Sequence, residues 1–412
     1  MSYARYNHSL IAANGKLYVI RGRFQSSVEA YDPQTNEWQK VGILRNLSAT
    51  SENVEKKTRT NRTKKEGPVD LPMKKILSNR WKITRKLGEG GCGAVYKVRD
   101  LQNPGQFAAL KVESNYVQGG SVLKLETAVL KALESKPHVA RLLAAAKKAH
   151  YSYIVMTLHG ESLNQLMKKI GNACSVSTMT RIGIHCLSGL KYIHDIGYVH
   201  RDIKPANLAM GLPGTAEAKI AHILDFGLAR QFAVSNKETG GYEIRRPRAR
   251  ASFRGTSRYC SVAAHDRLEL GRVDDLWCMI YMLVEFRGPL PWIHVADKKE
   301  VGEVKRTLND EDLLGDCPMQ LLEFITHLRG LSYYSRPNYT YLFDVLTSIM
   351  QDGGYHYSDD FEWERESLKD DKNWYGSDSD DQLKYSDKNK NKETIGDHLY
   401  TRRQFEVDEL GV

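Results

Sequence analysis

Residues 200–207 read His-Arg-Asp-Ile-Lys-Pro-Ala-Asn, and Asp225-Phe226-Gly227 begins eighteen residues after Asn207. Asp202 is a candidate base that would accept the proton of a substrate hydroxyl group. Asn207 and Asp225 carry hard oxygen ligands, which suit Mg²⁺ better than a soft metal would. Because Asp202 and Asn207 share one short loop, a base and a metal ligand can face the same phosphate. A surface turn that is polar by chance is the alternative, and the joint occurrence of both motifs makes it the weaker one.

The two motifs resemble the H-R-D-x-x-x-x-N loop and the D-F-G triplet of protein kinases. The resemblance implies a two-lobed α+β fold, with a small lobe of antiparallel strands plus one helix and a large, mainly helical lobe. It also implies ATP and Mg²⁺ as cofactors, with Asp202 as catalytic base and Asn207 and Asp225 as metal ligands. Lys204 would meet the transferring phosphoryl group, and its place in this motif implies specificity for Ser and Thr over Tyr.

A glycine-rich turn lies upstream, inside a segment that alternates apolar and polar residues. The alternation in residues 81–98 predicts two strands, and Gly88, Gly90, Gly93 and Val95 match G-x-G-x-x-G-x-V. Glycine has no Cβ, so the backbone N–H groups of such a turn can approach a phosphate closely. A lone G-x-G-x-x-G fits a dinucleotide site equally well. The valine that follows it, and a lysine on the next strand, favour a kinase loop.

The next predicted strand, residues 107–112, is apolar except for Lys111. A lysine in such a strand is costly unless it is paired, and kinases supply phosphates and a helix glutamate as its partners. Residues 121–134 are the predicted helix, and Glu126 is the best match to that glutamate. The predicted apolar face of this helix consists of Val122, Leu125, Val129 and Ala132. The alternative is that Lys111 and Glu126 are ordinary solvated charges.

Residues 153–160 resemble the strand and hinge that hold adenine in protein kinases. By that resemblance, Met156 guards the back of the pocket, and adenine bonds to backbone groups of the hinge. A buried strand followed by a turn is the plainer interpretation, and both can hold together. The resemblance implies a nucleotide site formed by Leu87, Gly88, Gly90, Gly93, Val95, Ala109, Lys111, Met156 and Leu158.

Beyond Gly227 the chain lacks the Ala-Pro-Glu motif that most kinases carry. Residues 254–265 and 271–277 resemble the casein kinase 1 group instead, and within it the tau-tubulin kinases match best. The resemblance runs from about residue 80 to residue 366. It implies protein substrates that are acidic or already phosphorylated, and it suggests a cytoskeletal substrate.

Residues 274–286 are apolar nearly all round, which predicts a helix buried in a core. An ionised Asp275 in that core needs hydrogen-bond partners. In kinases the matching aspartate bonds the backbone of the catalytic loop, so Asp275 is predicted to support Asp202.

Arginines are concentrated near the middle of the chain, at positions 245, 246, 248, 250, 254 and 258. Arginine binds carboxylate and phosphate in a planar fork. Arg258 matches a residue with which casein kinase 1 relatives accept acidic or phosphorylated substrates, and Arg258 and Arg254 are the predicted anion site. A solvated loop is the alternative. A nucleic-acid surface ranks lower, because interleaved aromatic residues and a recognised module are missing.

The chain of 412 residues carries 60 Lys and Arg against 50 Asp and Glu, a formal net charge of +10. Residues 81–351, without the basic linker and the acidic tail, are basic in their own right, which suits anionic ATP and acidic protein substrates. The six cysteines show no C-x-x-C or zinc spacing, and no segment resembles a signal peptide or a membrane span. We therefore expect a cytoplasmic and also nuclear protein with reduced thiols, a monomeric kinase domain, and no membrane or nucleic-acid partner.

The ends of the chain differ in composition from its centre. Residues 1–42 resemble a single kelch repeat, with a Leu-Tyr-Val-Ile strand, a Tyr-Asp-Pro turn and Trp38. One such blade cannot bury both its faces without neighbours, so we expect marginal stability and no catalytic role. Residues 43–78 predict a disordered basic linker, 79–366 a kinase domain and 367–412 a disordered acidic tail.

Two other functions compete with an active enzyme. A catalytically silent pseudokinase scaffold is the main alternative, and a kelch-type interaction protein is the second. A scaffold has no need of the five residues Lys111, Glu126, Asp202, Asn207 and Asp225, and the single kelch-like repeat argues against the second alternative.

Overall fold

The computed structural model describes residues 69–90, 93–116, 122–134, 136–367 and 400–412, and the strand backbones of residues 8–13, 16–21, 27–32 and 37–43. The chain forms two compact units, Met1–Thr63 and Lys64–Val412. The predictions for residues 44–68, for the tip of the glycine-rich turn at 91–92 and for the tail at 368–399 lie outside the described residues.

The N-terminal unit contains a four-stranded antiparallel sheet in which each strand pairs with the next along the chain. This meander confirms the β segment that was predicted there. Its last strand ends at Ile43, one residue beyond the predicted limit. The strands are β1 His8–Ala13, β2 Lys16–Arg21, β3 Ser27–Asp32 and β4 Glu37–Ile43.

The small lobe of the second unit is built on a six-stranded sheet in the order β5-β6-β7-β8-β10-β9, with every pair antiparallel. Its strands are β5 Ile76–Leu77, β6 Trp81–Gly90, β7 Gly93–Asp100, β8 Phe107–Ser114, β9 Leu142–Lys147 and β10 Tyr151–Thr157. Strand β7 buries every second residue, as expected for a sheet with one face on a core. Tyr96 and Val98 pack there with Trp81, Leu110 and Val112.

Helix α1, Leu123–Ala132, lies inside the predicted range, but its buried face differs from the predicted one. The predicted face was wrong because Ala132 is exposed and Leu125 is only half-buried. The buried residues are Leu123, Glu126, Val129 and Leu130. A prediction that counts only apolar residues misses this face, because it excludes Glu126. The burial of this charged residue depends on a cationic partner.

Helices α3 and α5 form the centre of the large lobe, and almost all their residues are buried. A helix that is buried all round belongs to a core, as predicted for residues 274–286. The helices of this lobe are α2 Leu163–Lys169, α3 Val176–Asp195, α4 Val262–His265, α5 Arg272–Glu285, α6 Lys298–Thr307, α7 Asp310–Leu314, α8 Leu321–Arg329, α9 Tyr339–Asp352, α10 Glu362–Ser367 and α11 Arg402–Glu406. Its short strands are β11 Tyr198–Val199, β12 Leu208–Met210, β13 Ala221–Ile223, β14 Arg230–Gln231, β15 Ala233–Ser235 and β16 Tyr242–Ile244.

The linker prediction needs correction at its C-terminal end. Residues 69–78 belong to the small lobe, where β5 pairs with β6 and Leu71 is buried. The backbone N–H of Leu71 donates to Tyr96 Oη at 2.8 Å, and that hydroxyl donates to Asp70 Oδ1 at 2.7 Å. Leu71 and Leu77 supply the apolar anchors that the average polarity of residues 43–78 conceals.

The tail prediction needs the same correction at the end of the chain. Residues 400–412 pack against the large lobe through α11, and Tyr400 and Phe405 are buried. The ring of Phe405 stacks on Phe343 with centroids 4.3 Å apart. The last thirteen residues of the predicted disordered tail therefore form a partly apolar segment that packs on the large lobe.

Two expectations from composition concern cysteines and membrane segments. Five cysteines fall in the described ranges, and all are free and buried. In those same ranges no helix is both long and apolar enough to cross a bilayer.

Candidate active site

Asp275 of α5 holds the loop that carries Asp202 by hydrogen bonds to its backbone. Asp275 accepts hydrogen bonds from the backbone N–H groups of His200 and Arg201, both at 2.7 Å, and contacts His194 Nε2 at 2.9 Å. Arg201 has φ of +69°, a left-handed conformation that non-glycine residues rarely adopt. Such backbone strain persists only where its surroundings enforce it. The predicted support of the loop by Asp275 is therefore present.

The side chain of Asp202 lies at the centre of a small polar cluster. It accepts hydrogen bonds from Lys204 Nζ at 2.7 Å and from Thr256 Oγ1 at 2.8 Å. Asn207 Nδ2 donates to the backbone oxygen of Asp202 at 2.9 Å and to Asp202 Oδ2 at 3.2 Å. These bonds fix the Asp202 carboxylate in one orientation while 8% of the residue remains exposed to solvent.

Asp225 lies beside Asn207 because of a short hairpin. Strands β12 and β13 pair Leu208 with Ile223, and Leu224 N donates to Asn207 O at 2.8 Å. The next residue, Asp225, has φ of +64°. Phe226 is buried, with its ring 5.3 Å from that of His200. The hairpin thus brings the two predicted metal ligands together.

Lys111 joins the small lobe to this site. Its Nζ donates to Glu126 Oε2 and to Asp225 Oδ1, each at 2.8 Å. Burial alone would lower the pKa of Lys111, but the two carboxylates outweigh it, and the pKa lies above its ordinary value. Burial raises the pKa of Glu126, and the Lys111 ammonium opposes that rise. Burial would also raise the pKa of Asp225, but Lys111 holds it below its ordinary value.

The predicted nucleotide residues lie on adjacent strands of the small lobe. The strand register places Gly90 opposite Gly93, Val95 opposite Lys111 and Ala109 opposite Met156. A Cβ at Gly93 would lie 1.8 Å from the carbonyl oxygen of Val112, so only glycine fits there. Met156 is buried in β10 and Leu158 follows that strand, while Leu87 and Gly88 lie on β6. Their contact with a nucleotide stays a prediction.

Comparison with known families decides which of these resemblances holds. Residues 81–343 match the protein kinase domain. The chain belongs to the protein kinase family. Residues 4–45 match the kelch motif, in agreement with the N-terminal sheet.

Two relatives of this chain are named as serine/threonine-protein kinases, and a third is named as an inactive kinase. A Caenorhabditis elegans protein with the provisional name of a serine/threonine-protein kinase is 50% identical over 303 residues, which cover 74% of this chain and 87% of that protein. A Dictyostelium discoideum protein, also provisionally named as such a kinase, is 38% identical over 70% of this chain and 57% of its own length. A C. elegans protein named as an inactive tau-tubulin kinase is 37% identical over 59% of this chain and 87% of its own length.

The kinase domain offers a donor set that fits a hard divalent cation. The hydrogen bonds from Asn207 Nδ2 to Asp202 orient the side-chain amide of Asn207. Among the described residues, no group donates a hydrogen bond to Asn207 Oδ1. Asp225 uses Oδ1 for Lys111, and Oδ2 accepts no hydrogen bond from a described residue. One amide oxygen and one carboxylate oxygen therefore stay available, which is the chemistry that Mg²⁺ prefers.

The two arginines of the predicted anion site differ in whether they have an ion-pair partner. Arg258 is exposed, but its guanidinium contacts Glu285 at 3.1 Å. Arg254 is exposed and has no ion-pair partner among the described residues. The Glu285 carboxylate partly neutralises Arg258, so Arg254 is the more available of the two cations.

Thr256 is a site residue that the sequence reasoning missed. Its hydroxyl donates to Asp202, and Lys204 Nζ donates to it at 3.0 Å, so it bridges base and lysine. Gly255, the residue before it, has φ of +92°, and a Cβ there would lie 2.7 Å from Arg201 O. A glycine before a threonine in the segment that follows Asp225 is the signal that could have identified it.

Replacement of Glu126 by Gln tests the pairing of Lys111. The Glu126→Gln variant keeps the shape but removes the charge, and a charge-assisted hydrogen bond contributes about 1.5–3 kcal/mol. We therefore expect kcat/KM for ATP to fall about 10- to 100-fold. Glu134→Gln, at an exposed position just beyond α1, should leave this parameter unchanged. Equal steady-state kinetics of the two variants would show that Glu126 does not position Lys111.

Proposed function

We propose that this chain is an active Ser/Thr protein kinase that transfers the γ-phosphoryl group of ATP to acidic or already phosphorylated protein substrates. The proposal is carried by one continuous chain of contacts. Lys111 joins Glu126 to Asp225, and the β12–β13 hairpin joins Asp225 to Asn207. Asn207 in turn bonds to Asp202.

The geometry suggests a role for each polar group. Asp202 would accept the proton of the substrate hydroxyl as that oxygen attacks the γ-phosphorus, while the bond from the γ-phosphorus to the β,γ-bridging oxygen breaks and ADP leaves. Lys204, 2.7 Å from Asp202, would stabilise the negative charge of the transferring group. Lys111 would orient the nucleotide phosphates. When bound, Mg²⁺ would neutralise phosphate charge, held by Asn207 and Asp225. Catalysis of this kind depends on positioning and electrostatics more than on covalent chemistry.

A silent pseudokinase scaffold is the second candidate, because one relative is named as an inactive tau-tubulin kinase. This chain keeps all five polar side chains of the contact chain and holds them within hydrogen-bond networks. A scaffold does not need the Asp202 carboxylate to be held in one orientation, as it is here by Thr256, Asn207 and Lys204. We therefore favour the enzyme.

The test is Mg²⁺-dependent incorporation of labelled phosphate into casein by the purified full-length chain. We expect transfer to Ser and Thr that stops when EDTA removes the metal. A chain that binds ATP but transfers no phosphate would support the scaffold instead.

The predicted anion site is tested by the double variant Arg254→Gln/Arg258→Gln. We expect KM for an acidic or phosphorylated peptide to rise about tenfold, while KM for a neutral peptide stays constant, because each arginine can make charge-assisted bonds to an anion. Arg403→Gln, at an exposed position of α11, is the matched control. An unchanged ratio of the two KM values would refute the anion site.

Several further properties are proposed with the enzyme. The resemblance to tau-tubulin kinases supports a cytoskeletal substrate, and we place the protein in the cytoplasm and also the nucleus. The kinase domain would act as a monomer. The kelch-like segment would take no part in catalysis, since no residue of the contact chain lies in it.

A further inference from the structure

A pocket of about 500 Å³ opens on the large lobe, apart from the residues of the phosphoryl-transfer site. Its volume lies in the range of ligand pockets, about 300–1,000 Å³. The walls come from the arginine-rich segment near Pro247, from α4 and α5 with the residues between them, and from the end of α8 with the residues after it. Most of the lining is apolar and includes Val262, Leu268, Trp277, Leu331 and Tyr333. Leu268 is 50% exposed, which is high for a leucine.

The charged groups in the wall already have partners. Glu269 is buried and binds Arg230 at 2.8 Å and Arg248 at 2.9 Å. Arg329 binds Asp310 at 2.6 Å. Asp274 is buried and accepts hydrogen bonds from Ser261 Oγ at 2.6 Å and from the backbone N–H of Gly271 at 2.7 Å. Because each of these charged groups is already bonded within the chain and most of the lining is apolar, the pocket itself favours an uncharged, apolar group.

The chain segment that contributes Pro247 and Arg248 to the wall also carries positive charge that has no ion-pair partner among the described residues. Arg245, Arg246 and Arg250 flank Pro247 and Arg248 in the chain and are exposed, and among the described residues none of the three has an ion-pair partner. Tyr333, which lines the pocket, donates its hydroxyl to the backbone oxygen of Arg245 at 2.9 Å. This bond ties the apolar wall to the basic segment, so one ligand can use both.

We propose that this pocket docks a short segment of the protein substrate, in which one large apolar or aromatic side chain is flanked by acidic residues. The anchor side chain would fill the pocket against Trp277 and Leu268, and the acids would face the three arginines. This inference rests on the proposed kinase function and adds a second substrate contact away from Asp202. Aromatic anchors in apolar pockets commonly dominate the affinity of protein interfaces.

Such docking has a defined kinetic consequence. A tethered substrate is held at a high effective concentration near the catalytic loop. The KM for a substrate with the docking segment would therefore be lower than for the same acceptor sequence alone, with no change in kcat. A short peptide without the segment would not use the pocket.

The probe is a fluorescent dodecapeptide with one tryptophan among Asp and Glu residues and no Ser, Thr or Tyr. Its binding to the full-length chain is measured by fluorescence anisotropy without ATP, so the result does not depend on phosphoryl transfer. In Leu268→Glu a charge enters the apolar pocket at an exposed position, and we expect the Kd to rise about tenfold. Met319→Glu changes another exposed apolar residue, which does not line the pocket, and should leave the Kd constant.

Two altered peptides separate the parts of the proposal. Replacing the tryptophan by alanine, or the acids by lysine, should each weaken binding to the unmodified chain. Equal Kd values for Leu268→Glu and the unmodified chain would overturn the docking site, even if casein phosphorylation is intact. Loss of casein phosphorylation with intact peptide binding would instead overturn the proposed function. Sedimentation with phosphatidylserine vesicles that depends on Leu268, without peptide binding, would assign the pocket to a lipid surface and overturn the docking proposal.

Discussion

The Asp202→Asn variant is expected to lose nearly all phosphoryl transfer while keeping its fold and its nucleotide. A positioned general base contributes about 10²- to 10⁴-fold to a rate, and kcat should fall by about that factor. Asn has the shape of Asp, and its Oδ1 can still accept the hydrogen bond from Thr256 Oγ1. The loss therefore reports the missing base and the missing charge opposite Lys204, not a displaced loop. The measurement is kcat by phosphate incorporation, beside Kd for ATP by calorimetry.

Asp352→Asn provides the control, because Asp352 is exposed at the end of α9, far in the chain from the catalytic loop. Both variants should unfold at nearly the temperature of the unmodified chain. If Asp202→Asn kept more than a tenth of the original kcat, Asp202 would not act as a base. If its unfolding temperature fell markedly, the loss of rate would instead reflect the polar cluster around Asp202.

The polar residues that the motifs indicated lie together in the folded chain, because each motif is short and chemically specific. Their roles in catalysis stay predictions. A buried charge needs a partner, and this need predicts two contacts. Lys111 contacts Glu126, and Asp275 contacts the catalytic loop. Thr256 was missed because its one signal in the sequence, a glycine directly before a threonine, does not by itself indicate a contact with Asp202. Its role depends on the close approach of Gly255 to Arg201, which only the folded chain shows.

Boundaries were less predictable than sites, for a physical reason. Composition averaged over a window identifies residues 43–78 and 367–412 as polar, but packing depends on individual anchors. Leu71 and Leu77 are buried in the small lobe, and Tyr400 and Phe405 are buried in the large lobe, so each segment packs through a few apolar side chains. The buried face of α1 was misjudged likewise, because its central residue is a carboxylate.

Residues 400–412 provide the second large effect, in stability. Phe405 is 1% exposed and stacks on Phe343. Beyond it, Leu410 and Val412 pack against a buried cluster of Val199, Phe232 and Ala233, and Val199 directly precedes the catalytic loop. Removal of a buried phenylalanine side chain costs about 3–5 kcal/mol, since it leaves a cavity as well as removing apolar contact. We expect Phe405→Ala to lower the free energy of unfolding of the kinase unit by this amount.

Val407→Ala is the matched control in the same segment, because Val407 is 43% exposed. Its substitution should change stability by no more than about 0.5 kcal/mol. Differential scanning calorimetry of the full-length chain compares the two variants through the unfolding transition of the kinase unit. A drop of several degrees for Phe405→Ala alone would establish that the end of the chain is part of the folded lobe. Equal transitions would mean that residues 400–412 contribute no stability, and the packing of Leu410 and Val412 near the catalytic loop would then have no consequence for the fold.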